Sequence, residues 1–105
     1  MLSTEMETII MNLIVGAGSA KSCAMEAIRL AKEGSFKEAD ESLEKANEEL
    51  ANAHHTQTDL IQQAAKGEKI EINLFMVHAQ DHIMTAILAK DLAAEIVELH
   101  RAMLA

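Results

Sequence analysis

Apolar positions along the chain recur at the three- and four-residue spacing of an α-helix. The segment 36–64 shows this most clearly, because a single apolar stripe faces a circumference that is largely acidic. The stripe comprises Phe36, Ala39, Leu43, Ala46, Leu50, Ala53, Leu60 and Ala64. Such a pattern predicts an amphipathic helix that buries one face and exposes a charged one.

Capping residues divide the chain into three helices. The Ser/Thr-x-x-Glu pattern of a capping box begins at Thr4 and again at Ser35. Gly34 and Gly67 stand where a left-handed C-cap is needed, and Asn73 is a candidate N-cap. The predicted helices cover about 4–33, 35–66 and 72–103.

The fold class follows from the short connections between these helices. Short connections make neighbouring helices antiparallel, so residues 1–105 are expected to form one all-α domain, an antiparallel three-helix bundle. The composition supports this, because proline is absent and half of the residues are hydrophobic, yet only two are aromatic. The apolar mass is mainly Ala, Leu, Ile and Met, which a helix accommodates at little cost.

The third helix is apolar around much of its circumference. Its apolar residues are Leu74, Met76, Val77, Ala79, Ile83, Met84, Ile87, Leu88, Leu92, Ile96, Val97 and Leu99. Two neighbouring helices in a monomer cannot cover so wide an arc, and a helix of this kind needs burial on several sides. We therefore expect copies of the chain to associate with one another.

Charge and cysteine content exclude several classes of function. A net charge of −8 argues against nucleic-acid binding and against docking on an anionic membrane. The longest nearly uncharged stretch, Thr8 to Ala20, is shorter than the roughly 20 residues that span a bilayer, and the acidic N-terminus does not resemble a signal peptide. The single cysteine, Cys23, suits a reducing compartment. A soluble, cytoplasmic protein without membrane insertion is expected.

Polar side chains interrupt the apolar third helix. At 100° per residue one face of this helix carries His78, Asp81, His82 and Thr85. Burying such groups is costly unless they satisfy one another or take part in chemistry. A lone histidine on this face would more often be a hydrogen-bonded core residue, but a group of polar residues favours a functional site.

The second helix is expected to bring more polar groups to the same height. Counting outward from a turn near Glu68, His54 comes level with His82, and Gln57 comes near Ala79. The sequence thus predicts that three histidines and one aspartate converge.

Two kinds of chemistry suit this group of residues. A neutral imidazole has a free nitrogen that is nucleophilic near neutral pH, and phosphoryl transfer needs mainly positioning and hydrogen-bond donors. The candidate donors are His82, Gln57, Gln80 and Thr85. Zinc binding is the other option, since His78 and His82 are four residues apart with Asp81 between them. The glutamate of the HExxH motif of metalloproteases is absent.

Nine residues of the third helix resemble the signature of a known family. The segment Val77-His78-Ala79-Gln80-Asp81-His82-Ile83-Met84-Thr85 is similar to V-H-A-Q-D-H-L-M-T. That signature is typical of the lactose/cellobiose-type IIA component of the bacterial phosphoenolpyruvate-dependent sugar phosphotransferase system. The likeness also includes Gly34-Ser35-Phe36 and Ala53-His54 followed by Gln57-Thr58. It implies a homotrimer of three-helix subunits with nine helices in all.

The resemblance also implies a function. His78 would accept a phosphoryl group from the phosphohistidine carrier protein HPr and pass it to a cysteine of the cognate IIB component. The group would finally reach a disaccharide of lactose, cellobiose or chitobiose type, whose identity the sequence does not reveal. Asp81 would gather at the trimer axis and hold a divalent metal ion, with Mg²⁺ the expected ion. The residues that helical geometry places near His78 are the expected supporting residues: His82, Gln80, Gln57, His54 and Thr85.

Two other functions stay open at this point. The chain could be a metal-binding or structural helical trimer that never carries phosphate, with the polar residues serving assembly alone. It could also be a histidine phosphotransfer domain of two-component signalling. That class is a four-helix bundle with the motif H-x-x-K-G, and the Gln80-Asp81-His82 sequence after His78 counts against it.

Overall fold

The computed structural model describes residues 3–104, which form three helices and no strand. Residues 1, 2 and 105 of the predicted domain lie outside the described residues. The helices are α1 (Thr4–Lys32), α2 (Phe36–Ala65) and α3 (Leu74–Leu104). Each is roughly 45 Å long at 1.5 Å per residue, and the molecule measures 53 × 22 × 19 Å. The helices therefore lie side by side, and the predicted all-α bundle is confirmed, with each boundary within two residues of its expected position.

Glycine permits both turns. Gly34 follows α1 with φ +81°, and its N–H donates to the carbonyl of Ala31 while the next N–H, of Ser35, donates to Leu30. Gly67 ends α2 in the same way with φ +88°. This pairing is the Schellman motif, in which a residue of positive φ satisfies the last free carbonyls. The predicted C-caps are confirmed.

The N-caps differ in part from the prediction. Ser3, and not Thr4, caps α1: its hydroxyl accepts a 3.1 Å hydrogen bond from the amide of the third helical residue. A cap must have extended backbone geometry, which Ser3 has, whereas Thr4 is already helical. Ser35 precedes α2 but its side chain makes no capping hydrogen bond. Asn73 does cap α3, through its side-chain oxygen at 3.0 Å.

Helix α1 packs against both other helices and carries the centre of the core. Its buried side chains are mostly small: Ile10, Leu13, Ala17, Ala20, Ala24, Ala27 and Ala31. Alanines permit close helix approach, and the largest fully buried side chains are Leu13, Ile83 and Val97. The core is thus a thin layer between long helices, so functional side chains must lie near its edges.

By length and composition, α1 is the one helix of residues 3–104 that is apolar enough to cross a membrane. The core helix of a soluble protein satisfies the same criteria. The sequence prediction considered only the nearly uncharged stretch from Thr8 to Ala20, which ends at Lys21. It therefore did not anticipate that the whole of α1 is long and apolar enough to meet these criteria.

Gly16 marks a close approach of α1 to α2. A Cβ atom at this position would lie 3.5 Å from the Cβ of Ala53 and 3.6 Å from the carbonyl oxygen of Glu49, both ordinary van der Waals distances. Because glycine costs about 0.5–1 kcal/mol in a helix interior relative to alanine, Gly16→Ala is expected to raise the free energy of unfolding by that amount. Urea unfolding measures it. Gly16→Leu should instead destabilise the fold, and destabilisation by the alanine as well would contradict the described spacing.

One side of α3 is left uncovered by α1 and α2. Leu74, Val77, Met84 and Leu88 are each more than half exposed, and Asp81 is exposed in their midst. These five residues, named here the α3 seam, follow alternating spacings of three and four residues, which is the repeat of a coiled-coil interface. The expected surplus of apolar surface on this helix is therefore present in the folded chain.

Candidate functional site

His78 and His82 lie on successive turns of α3 with their rings stacked. The ring centroids are 5.7 Å apart and the planes are inclined by only 11°. His78 is exposed, whereas His82 is half-buried against α1. The outer imidazole is thus accessible to a macromolecular partner, and the inner one supports it.

Lys21 of α1 holds the inner imidazole. Its Nζ lies 3.3 Å from Nδ1 of His82 and 3.1 Å from the hydroxyl oxygen of Thr85. An ammonium group only donates, so Nδ1 must accept and the ring proton of neutral His82 must reside on Nε2. Thr85 in turn donates its hydroxyl proton to the carbonyl of His82 at 3.0 Å.

The surroundings of His82 favour its neutral form. Burial lowers the pKa of His82, and the charge of Lys21 and the neighbouring His78 lower it further, while Asp81 opposes them. A neutral His82 is consistent with its role as acceptor for Lys21. Neutral His82 therefore carries no charge that Lys21 would repel.

Gly18 makes room for this arrangement. A Cβ atom at Gly18 would lie 3.4 Å from Nε2 of His82, at the lower limit of comfortable contact. The imidazole thus lies directly against α1 at this glycine. Gly18 and Lys21, one turn apart on α1, thus contact the two nitrogens of the His82 ring: Gly18 lies against Nε2, and Lys21 donates to Nδ1.

Gln57 and Gln80 lie together, but on a different side of α3. Gln57 donates to the side-chain oxygen of Gln80 at 2.8 Å, and Gln80 donates to the sulfur of Met76 at 3.6 Å. Gln80 comes two residues after His78, so it points about 200° away around the helix. Gln57 is only 5% exposed. Gln57 thus lies level with the part of α3 where it was expected. This amide pair joins the two helices, however, and does not contact the histidine face.

His54 does not join the other histidines within one chain. It is exposed and lies in a groove between α2 and α3 together with Asn47, Ile87 and Lys90. The predicted convergence of three histidines is therefore not formed by a single copy. Equal height on two helices does not fix the direction in which a side chain points.

Asp81 is exposed on the α3 seam, beside the histidine pair. Within residues 3–104, no group of three His, Cys, Asp or Glu side chains is placed to hold a metal ion. A zinc site built from His78, Asp81 and His82 of one chain is thus not formed.

Lys21 was missed by sequence reasoning. It lies 61 residues before His82 and on another helix, so no local spacing connects them. The signal that could have found it is the pair of helical glycines beside it, which marks where α1 faces a neighbour.

Sequence comparison identifies relatives over nearly the whole chain. The family model "PTS system, Lactose/Cellobiose specific IIA subunit" matches residues 8–101. The lichenan-specific phosphotransferase enzyme IIA component of Bacillus subtilis is 54% identical over 99 residues, which cover 94% of this chain and 90% of that protein. The N,N′-diacetylchitobiose-specific EIIA component of Escherichia coli is 42% identical over 96 residues, covering 91% and 83%.

Solved structures agree with the fold and the family. The cellobiose-specific enzyme IIA from Bacillus anthracis superposes with a TM-score of 0.91 at 50% identity, covering 98% of this chain and 94% of that one. The IIA of the Escherichia coli chitobiose branch, solved in complex with HPr, gives 0.82 at 39% identity, covering 98% and 100%. An exposed histidine stacked on a second, anchored one thus occurs here in a chain that, by sequence and by fold, belongs to the lactose/cellobiose-specific IIA family of the phosphotransferase system.

Proposed function

We propose that this chain is a phosphocarrier that accepts a phosphoryl group from phospho-HPr on His78 and passes it to a cysteine of its cognate IIB component. The observation that carries this proposal is the exposed His78 ring stacked on a His82 that α1 holds in place. The transfers take place in the cytoplasm, during uptake and phosphorylation of a disaccharide of lactose, cellobiose or chitobiose type.

The chemistry requires little beyond an accessible nitrogen in a fixed position. A neutral imidazole attacks phosphorus with its free electron pair, and a nitrogen–phosphorus bond forms on His78 as the one on HPr breaks. In the second step the IIB thiolate attacks the same phosphorus and the His78 imidazole leaves. Phosphoryl transfer depends mostly on alignment and charge stabilisation, which a pre-positioned ring favours. Because both partners are proteins, the acceptor has to lie at the surface, as His78 does.

HPr as the donor is supported by the chitobiose IIA of Escherichia coli, whose structure was solved bound to HPr. The charge of −8 also favours association with a partner that presents a basic surface. Relatives at 42–54% identity are specific for lichenan, cellobiose, lactose and N,N′-diacetylchitobiose. Identity in this range therefore does not separate one sugar from another.

The α3 seam suits assembly of three copies around a common axis. Three seams would bury apolar surface that one copy leaves exposed, and would bring three Asp81 carboxylates together. Like charges at one axis repel unless a cation or shared protons relieve them. Carboxylate oxygens are ligands that Mg²⁺ accepts, so Asp81 fits the expected divalent ion once three copies supply it. Such an ion would hold the subunits together and has no assigned part in the transfer.

Incubation with phosphoenolpyruvate, enzyme I and HPr tests the carrier function. We expect one phosphoryl group per chain, labile to acid and stable to base, which mass spectrometry places on His78. Addition of a IIB component should then remove it. A chain that assembles but accepts no phosphate under these conditions would instead be the structural trimer.

A further inference from the structure

We propose that Lys21 is a positioning residue of the phosphoryl transfer, which acts by fixing the His82 ring against which His78 stacks. The inference rests on the proposed function of His78. It concerns a residue on a helix that contributes nothing to the nine-residue signature.

The ammonium group of Lys21 contacts the histidine face of α3 and forms no ion pair within residues 3–104. The chain contains 17 acidic residues, yet none of the ion pairs among residues 3–104 involves Lys21. Its ammonium instead contacts two neutral acceptors on α3, the imidazole nitrogen of His82 and the hydroxyl of Thr85. A half-buried lysine that pairs with an imidazole is poorly explained by stability alone, because a carboxylate partner would serve stability better.

Three contacts restrict the His82 ring, and Lys21 makes two of them. Donation to Nδ1 sets the tautomer, with the proton on Nε2. The hydroxyl of Thr85, held between Lys21 and the His82 carbonyl, ties the ammonium to the same turn of α3. The ring also lies against α1 at Gly18, where a Cβ atom would be 3.4 Å from Nε2. Rotation of this ring would break the hydrogen bond to Lys21 and the stack with His78 together.

His78 depends on this arrangement because its own ring is exposed. The aromatic ring stacked against it is His82, 5.7 Å away and nearly parallel. Transfer between two histidines needs alignment of the attacking nitrogen, and a misplacement of about 1 Å can slow a reaction about a hundredfold.

Three variants test the inference in the full-length protein. Lys21→Met removes the charge and all donors while keeping an unbranched side chain that is one atom shorter. Lys21→Arg restores both charge and donors. Lys45→Met is the matched control, since it removes one lysine from an exposed position on α2 and changes the net charge equally. Circular dichroism first establishes that each variant is folded.

The first measurement is the tautomer of His82, read from its ring ¹⁵N chemical shifts at neutral pH. We expect the Nε2–H form alone in the wild type, Lys21→Arg and Lys45→Met, and a mixture of both tautomers in Lys21→Met. The second is the rate of transfer from phospho-HPr at saturation. This rate should fall by about tenfold to a hundredfold in Lys21→Met, with half-saturation changed less than about twofold, and should recover in Lys21→Arg.

Two results would overturn the inference. If the rate of transfer from saturating phospho-HPr were unchanged in Lys21→Met and only the melting temperature were lowered, Lys21 would contribute to stability alone. A raised half-saturation concentration with an unchanged rate would make it an HPr contact. Neither affects the assignment of His78: an unlabelled wild type would remove the proposed function itself, whereas a labelled wild type with an unimpaired Lys21→Met would remove the positioning role alone.

Discussion

Replacement of His78 by alanine is expected to abolish phosphorylation by phospho-HPr. The imidazole is the proposed nucleophile, and no neighbouring group can replace its nitrogen: His82 has one nitrogen occupied by Lys21 and lies behind the His78 ring. Labelling should fall to background, and transfer to IIB should stop with it. The fold should be retained, because His78 is exposed and its removal leaves no cavity in the core.

His55→Ala provides the matched control. His55 is also exposed and helical, and its interaction is an ordinary surface pair with Asp59 at 3.5 Å. This variant should accept phosphate at the wild-type rate and to the same extent. Full labelling of His78→Ala would instead place the acceptor at another residue, and tandem mass spectrometry of that product would show which one.

Replacement of Leu88 by glutamate is expected to break the proposed trimer. Leu88 is 58% exposed in the single chain and belongs to the α3 seam, so the trimer would bury it. Each copy would then place an unpaired carboxylate in an apolar interface, at a cost of several kcal/mol per copy. Sedimentation equilibrium should show three chains per particle for the wild type and a single chain for Leu88→Glu.

Ile61→Glu tests whether the position or merely the charge matters. Ile61 is 59% exposed, but it lies on α2 and does not belong to the α3 seam. This variant should sediment as the wild type does.

Asp81→Leu should stabilise the trimer, which is the opposite of the effect of Leu88→Glu, because it completes the apolar seam and removes three repelling charges. Its melting temperature should be insensitive to chelator, whereas EDTA should lower that of the wild type. A wild type that sediments as a monomer would contradict the assembly.

Most of the fold could be predicted because its determinants are local. Each helix end depends on a residue within a few positions, as Gly34 and Gly67 show through their positive φ angles. The error at the start of α1 is also local. Ser3 and Thr4 are adjacent residues with similar capping ability, and only the backbone conformation decides between them.

The candidate site was less predictable because it depends both on spacing within one helix and on packing between helices. His78 and His82 are four residues apart on one helix, so their proximity follows from helical geometry. Gln57 reaches Gln80 as the length of the connecting turn suggests. His54, at a similar height, points into another groove, because the rotation of α2 about its own axis depends on packing across its whole length.

The sequence by itself determined the three helices, the two glycine turns, the paired histidines and the excess of apolar surface on α3. These follow from spacing along a single helix, or from the backbone freedom of one residue. Only the tertiary structure decided that Lys21 anchors His82, that Gly18 lies beneath it, and that Gln57 and His54 face away from His78. Such contacts depend on how helices far apart in the chain rotate and slide against each other, and the spacing within any one helix does not contain that information.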